Sequence, residues 1–263
     1  MSVEYARKGL LGVLTPQANT TVEPECGILM PRGYAAINAR LTSDKKTIEA
    51  RLVDYFNTLK TACGQFSNAP VQAIAVACTG ASYLVGRNRE TEVLRDIEES
   101  RGVTVYTAAT AVVDALRELG ARRIALASPY PDGLTAKSVA YWESHGFQVT
   151  RVVSMPIDDS HFHPIYSMKA AAASGLLHQL AEGESHLADA IVMLGTGMPT
   201  LGPLLLANSV SPVPVISCML CLAWKAVSIV DPLDTSLQAW IRGDPWRGRF
   251  EMQQYPEQET PGP

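Results

Sequence analysis

The chain runs to 263 residues, 47% hydrophobic and 18% charged, ordinary globular proportions that fit one large domain or two small ones. A formal net charge of -4 offers no basic face to nucleic acid. No apolar run reaches the ~18 residues of a membrane span; the longest, 201–224, is broken by Pro203, Pro212 and Pro214.

Taken in chain order, Gly9 to Leu14 reads as a buried strand ended by Thr15-Pro16, and 47–66 carries apolar positions at helical spacing. Val71 to Ala77 is a second buried strand. Asn88 to Glu99 is a helix with mixed charges outside, and Val103 to Tyr106 a short strand. Ala109 to Leu119 is a helix stopped by Gly120. Strands follow at Arg123 to Ala127, Gln148 to Ser154, Ala190 to Leu194 and Pro214 to Ser217, with helices at Thr135 to His145 and Lys169 to Ala181. Such alternation predicts an α/β protein with parallel sheets covered by helices. From Gly243 the chain turns rich in Pro, Gly, Gln and Glu. Residues 243–263 are expected to be a C-terminal arm or tail, which Trp246, Phe250 and Tyr255 can dock.

An internal echo organises the rest. Ile74 to Ser82 and Ile191 to Pro199 both read as apolar strand, small residue, Thr-Gly and helix start. Val13-Leu14-Thr15-Pro16 is echoed by Leu126-Ala127-Ser128-Pro129. The offsets agree closely, 117 from 78 to 195 and 113 from 16 to 129. Two related lobes facing each other across a cleft account for both. Ligands of open parallel sheets bind beyond the carboxyl ends of the strands. Four loops fall there: Thr15 to Thr21, Cys78 to Tyr83, Ser128 to Gly133 and Gly195 to Thr200. Their Thr, Ser, Asn and Gly, together with helix N-termini, suit an anion.

The five cysteines are odd in number and irregular in spacing, which argues for free thiols, a reducing cytoplasm and no disulfide framework. The N-terminus lacks the apolar stretch of a signal peptide. Cys78 alone has a strand-end, helix-start setting, which is expected to lower a thiol pKa. Cys26, Cys63, Cys218 and Cys221 read as core packing, including the C-x-x-C pair. His161 and His163 share one side of any strand, but without a third ligand no metal site is expected.

Several segments carry a resemblance. Gly12 to Glu23 resembles the opening strand and loop of maleate cis-trans isomerases, and Val76 to Tyr83 their first catalytic loop. Thr107 to Val112, then Ala115 to Tyr130, is similar to the middle of arylmalonate decarboxylases. Leu194 to Thr200 falls where the second catalytic loop belongs, and Pro214 to Ser217 with Ala223-Trp224 resembles the last strand and helix. The likeness, over about residues 9–230, is to the aspartate/glutamate racemase superfamily. It implies two pseudo-symmetric flavodoxin-like lobes and an interlobe active-site cleft, without a cofactor. Residues 1–116 with 217–242 would form the first lobe and 117–216 the second. Racemases and maleate isomerases place a cysteine on each side, whereas arylmalonate decarboxylases keep that of the second loop. This chain keeps Cys78 and has Gly195 where the second would lie.

One thiol disfavours two-base racemisation and suits decarboxylation, in which an enolate is held by donors and protonated on one face. Cys78 is then the acid, with Thr79, Gly80, Tyr130, Gly195, Thr196 and Gly197 around the carboxylate, and Pro16 and Asn19 at its other end. A maleate-type isomerase with Cys78 as nucleophile is the alternative. Cysteine-dependent amide cleavage or cyclisation is another, and a non-catalytic small-ligand binding protein stands outside the enzyme class. The partner expected is a small carboxylate, with a second copy of the chain kept open and neither nucleic acid nor membrane. Gly195, Gly197 and Met198 are expected to leave room for an apolar substituent.

Overall fold

The alternating apolar runs fold into two sheets of four parallel strands in the computed structural model, which describes residues 3–155, 164–182, 188–232 and 236–254. The first lobe comprises β1 (Gly9–Pro16), α1 (Val22–Leu29), β2 (Tyr34–Leu41), α2 (Ile48–Asn57), α3 (Leu59–Cys63), β3 (Ala73–Val76), α4 (Thr79–Arg101), β4 (Thr104–Thr107) and α5 (Ala108–Glu118). The second comprises β5 (Arg123–Ser128), α6 (Asp132–Ser144), β6 (Gln148–Ser154), α7 (Ala170–Ala181), β7 (Ala190–Met193), α8 (Leu201–Val210) and β8 (Val215–Ser217), after which α9 (Cys218–Val230) crosses back to the first. Two short helices follow, α10 (Leu237–Arg242) and α11 (Arg247–Gln254).

The sheets have matching orders, β2-β1-β3-β4 and β6-β5-β7-β8. Leu14 pairs with Val76 in the first, as Ala127 pairs with Met193 in the second. Those pairings reproduce the offsets of 113 and 117 seen in the sequence. The inner strands β3 and β7 are buried throughout, because helices cover both faces of a parallel sheet. Each fully buried Leu, Ile or Val side chain stabilises the fold by roughly 1.5–3 kcal/mol.

Four elements differ from their sequence expectation. The 47–66 helix is broken at Thr58 into α2, α3 and a 3-10 turn at Gly64–Phe66. The fourth helix starts at Thr79, nine residues before Asn88, and kinks at Gly86, whose φ of 75° is left-handed. The strand β2 and the helix α1 were not anticipated. β2 is a partly exposed edge strand rich in Ala, and α1 carries Pro24 and Gly27, so neither shows a sharp period. Among the described residues no helix is long and apolar enough to cross a membrane.

The lobes are joined by a crossed connection. After β8, α9 lies against β1 and β3 of the other lobe, beside α5. Hydroxyl caps start both of these helices: Thr107 accepts from Thr110 N, and Ser217 from Leu220 N. Each cap leads to a buried carboxyl. Thr107 donates to Glu90 at 2.7 Å, and Tyr141 of α6 donates to the other Glu90 oxygen at 2.5 Å. On the opposite side, Thr200 N donates to Glu25 at 2.7 Å, while the Thr200 hydroxyl reaches both Glu25 and Ser217. Burial raises both carboxyls, Glu25 to about 7. On the Glu90 side α4 packs directly on α6. On the Glu25 side α10 and α11 bridge α1, α8 and α9, through the buried Trp240 and Trp246 and through Arg249, which donates to the Ile28 and Leu29 carbonyls. Phe250 packs against this core, and Tyr255 lies outside the described residues.

Candidate active site

Four strand ends meet between the lobes. β1 delivers Pro16; a turn follows in which Asn19 N donates to the Pro16 carbonyl. β3 delivers Cys78, in extended conformation at the start of α4. β5 delivers Pro129 and Tyr130, held by Ser128 and Thr135, which share a hydrogen bond of 2.7 Å. Thr135 also donates to the Tyr130 carbonyl. β7 leads into 194–200 before α8 begins. Pro16, Cys78, Thr79, Gly80, Tyr130, Thr196 and Gly197 line one narrow cleft with about 50 Å³ of free room. Its apolar walls come from Ile48 and Leu52 of α2, Leu134 of α6, and Ile165 with Tyr166. Among the described residues no lysine, arginine or histidine lines it.

The lobes are pinned around this cleft by hydroxyls. Thr196 donates to the Ala77 carbonyl at 2.8 Å, Thr21 donates to that of Gly197 at 2.8 Å, and Thr79 and Tyr130 share a hydrogen bond of 2.8 Å. Asn19 takes a supporting place. Its Oδ1 accepts from Thr21 N and Val22 N, at the start of α1, and its Nδ2 donates to Thr196 at 3.4 Å. It therefore lies behind Thr196, outside the cleft lining, and acts as a turn-former.

Cys78 departs from the electrostatics expected of it. The Gly80 and Ala81 N–H groups face its sulfur and pull the pKa down, yet burial outweighs them and pushes the thiol up to about 12. The resting thiol is thus protonated at neutral pH.

The room expected at the glycines is already filled. Gly195 has φ 86°, and a Cβ there would sit 2.8 Å from Ile165 and 3.0 Å from Pro129. The Tyr130 hydroxyl would be 3.2 Å away. At Gly197 a Cβ would meet the Tyr166 ring at 2.8 Å, and Met198 is fully buried. Ile165 and Tyr166 belong to a 3-10 turn, Pro164–Ser167, tethered by Thr20, whose hydroxyl donates to the Tyr166 carbonyl at 2.9 Å. No sign of this covering segment is visible in the sequence, since it has no periodicity and meets the glycines only in three dimensions. His161 and His163 lie outside the described residues, and among the described ones no group of three His, Cys, Asp or Glu is placed to hold a metal ion.

Sequence reasoning also passed over the neighbourhood of Cys218. It opens α9 directly after β8, donates to the Met193 carbonyl at 3.4 Å, and faces the Gly195 N–H and the hydroxyls of Thr79 and Tyr83. Burial pushes it too up to about 12. It stands one layer behind the cleft, and its place at a strand end was the signal available for finding it.

Comparison with known proteins agrees with this geometry. Residues 11–240 match the sequence model of the arylmalonate decarboxylase family. The maleate isomerase of Nocardia farcinica is 27% identical over 158 residues, 57% of this chain and 63% of its own length. The match therefore spans less than two thirds of that curated relative. The crystal structure of the maleate isomerase Iso from Pseudomonas putida S16 superposes with a TM-score of 0.75 at 22% identity, covering 85% of this chain and 93% of that one. That of arylmalonate decarboxylase gives 0.71 at 20% identity, covering 84% and 92%. At such identities these two structures bear on the fold alone, and they share it.

Proposed function

Since the chain belongs to the arylmalonate decarboxylase family, we propose that it is a cofactor-independent lyase that removes CO2 from a small malonate-type acid and protonates one face of the resulting enolate from Cys78. The observation that carries this reading is a single Cys78 thiol in the wall of a cleft whose mirror position is Gly195. Loss of CO2 leaves an enediolate. The Gly80 and Gly197 N–H groups and the one hydroxyl proton that the Thr79–Tyr130 pair leaves free are the neutral donors that hold it, with Thr196 fixing its loop on the Ala77 carbonyl, and such preorganised donors supply the largest share of many rate enhancements. Pro16 and Gly195 shape the cleft, and Asn19 fixes the turn behind it. The Cys78 proton moves to the α-carbon, and water makes good the loss. The apolar walls at Ile48, Leu52, Leu134 and Ile165 favour one charged end and one apolar substituent on the substrate. Five free thiols fit a reducing cytoplasm.

The relatives named as maleate isomerases favour a second reading, in which Cys78 adds to the double bond of an unsaturated diacid and leaves after rotation. A raised thiol pKa and an apolar far wall weigh against it. The experiment is to incubate purified protein with aryl- and alkylmalonates and with maleate, and to read products by mass spectrometry. Loss of CO2 from a malonate, abolished in Cys78→Ala with the melting temperature retained, is the expected result. Conversion of maleate with malonates untouched would transfer the assignment to the isomerase. Turnover by Cys78→Ala would remove the thiol from the chemistry.

A further inference from the structure

The loop opposite Cys78 is bare at two positions, and one side chain takes up the space. A Cβ on Gly195 would lie 2.8 Å from Ile165 Cδ1, and one on Gly197 would lie 3.4 Å from Ile165 Cγ1. Ile165 thus rests on both glycines, 8% exposed, and forms part of the cleft lining. Its turn is fastened on either side of it. The Thr20 hydroxyl donates to the Tyr166 carbonyl at 2.9 Å, and Met168 N donates to the Ile165 carbonyl at 3.3 Å. The cysteine side is lined just as closely. A Cβ on Gly80 would lie 3.1 Å from Leu52 and 3.5 Å from Leu134. Between these walls about 50 Å³ of free room is left. An apolar cavity that holds benzene measures roughly 150 Å³. An aromatic ring therefore does not fit beside the carboxylates, whereas a methyl or ethyl group does.

We propose that Ile165 sets the size of the substrate: the acid carries a short alkyl group on its α-carbon, and the Ile165 side chain, seated on Gly195 and Gly197, excludes an aryl group. This rests on the malonate reading above and narrows it. Leu52 and Leu134 stand on the helices α2 and α6, so their places are set by packing along whole elements. Ile165 is carried by a turn of four residues, Pro164–Ser167, and its length alone decides how far the wall reaches. Such discrimination is graded, since one methylene in an apolar pocket changes kcat/KM by roughly 10–200-fold. Ile165→Val removes Cδ1, the atom nearest Gly195, and keeps the branch at Cβ. Ile165→Ala removes the whole side chain beyond Cβ.

The test is kcat/KM for methyl-, ethyl-, butyl- and phenylmalonate in the parent, Ile165→Val and Ile165→Ala. The same acids are scored for protecting Cys78 from iodoacetamide, the Cys78 peptide being followed by mass spectrometry. The parent should prefer methylmalonate to phenylmalonate by about 100-fold or more. Ile165→Val should move that ratio roughly tenfold towards the larger acid, and Ile165→Ala should reverse it. Should Ile165→Ala fail to fold, Ile165→Val carries the test alone, since it loses a single methyl group. Equal turnover of the two acids by the parent overturns the size limit, as does a ratio unmoved in the variants that fold. Release of CO2 from no malonate at all overturns the function instead. Protection needs no turnover and then decides the size limit by itself. Shielding of the parent's Cys78 by methylmalonate and not by phenylmalonate, with both effective in Ile165→Ala, sustains it; shielding of the parent by both acids or by neither overturns it.

Discussion

The loops after β3 and β7 occupy equivalent places in the two lobes and are built differently. The first runs straight from strand to helix, with an extended Cys78 and Thr79 already helical. The second takes seven residues, 194–200, before α8 begins, and bends at Gly195 with a left-handed φ. A missing sulfur is therefore only part of the asymmetry. The backbone has been turned, and Ile165, Pro129 and the Tyr130 hydroxyl have closed over the position. One face of the cleft carries a thiol, and the other is closed over by side chains.

The strongest way to break that comparison is to restore the symmetry. Gly195→Cys should destabilise the protein by about 4 kcal/mol, from left-handed strain and overpacking together. Gly195→Ala should show most of the same loss in chemical denaturation, because the clash is at Cβ. Product handedness in Gly195→Cys should stay that of the parent, since the new side chain runs into Ile165 and does not face Cys78. A racemic product from a stable Gly195→Cys variant would mean that the second face is open.

A smaller effect compares the two buried carboxyls. Glu25 is raised in the folded state from 4.5 to about 7 by burial. A raised carboxyl holds its proton more tightly when folded, so its contribution is complete below pH 4.5 and is lost as pH climbs through 7. The window amounts to about 3 kcal/mol. Glu25→Gln keeps an acceptor for Thr200 N and should lack this slope. The difference in unfolding free energy between variant and parent should therefore change by that amount between pH 4.5 and 7.5, with Glu90 common to both and cancelling. A constant difference would show Glu25 to be solvated in the folded protein. Glu90→Gln should do least, about 1–2 kcal/mol at neutral pH in denaturant titration, because its partners Thr107 and Tyr141 are hydroxyls that can reorient.

Much of this was legible beforehand. The strands β3, β5 and β7 are short apolar runs bounded by Thr, Gly or Pro, and the echo of Cys78-Thr79-Gly80 in Gly195-Thr196-Gly197 located both loops of the cleft. What was illegible depended on contacts remote in sequence. Asn19 was expected at the far end of the ligand, and that its oxygen accepts from Thr21 N and Val22 N could not be read from spacing. The space beside Gly195 and Gly197 was taken as empty, though Ile165 and Tyr166 enter it from a segment without pattern. The Cys78 pKa was read from helix position, a local property, whereas burial, a property of the whole assembly, decides it.

The crossing of α9 from β8 onto β1 and β3 has a consequence for how the chain comes together. Residues 218–230 complete the layer over strands that begin at Gly9, so neither half closes its core until nearly the whole polypeptide has been made. Contacts of such long sequence separation slow folding. The halves should accordingly unfold as one cooperative unit, and a break in the chain between them should yield fragments that recover their structure only when mixed.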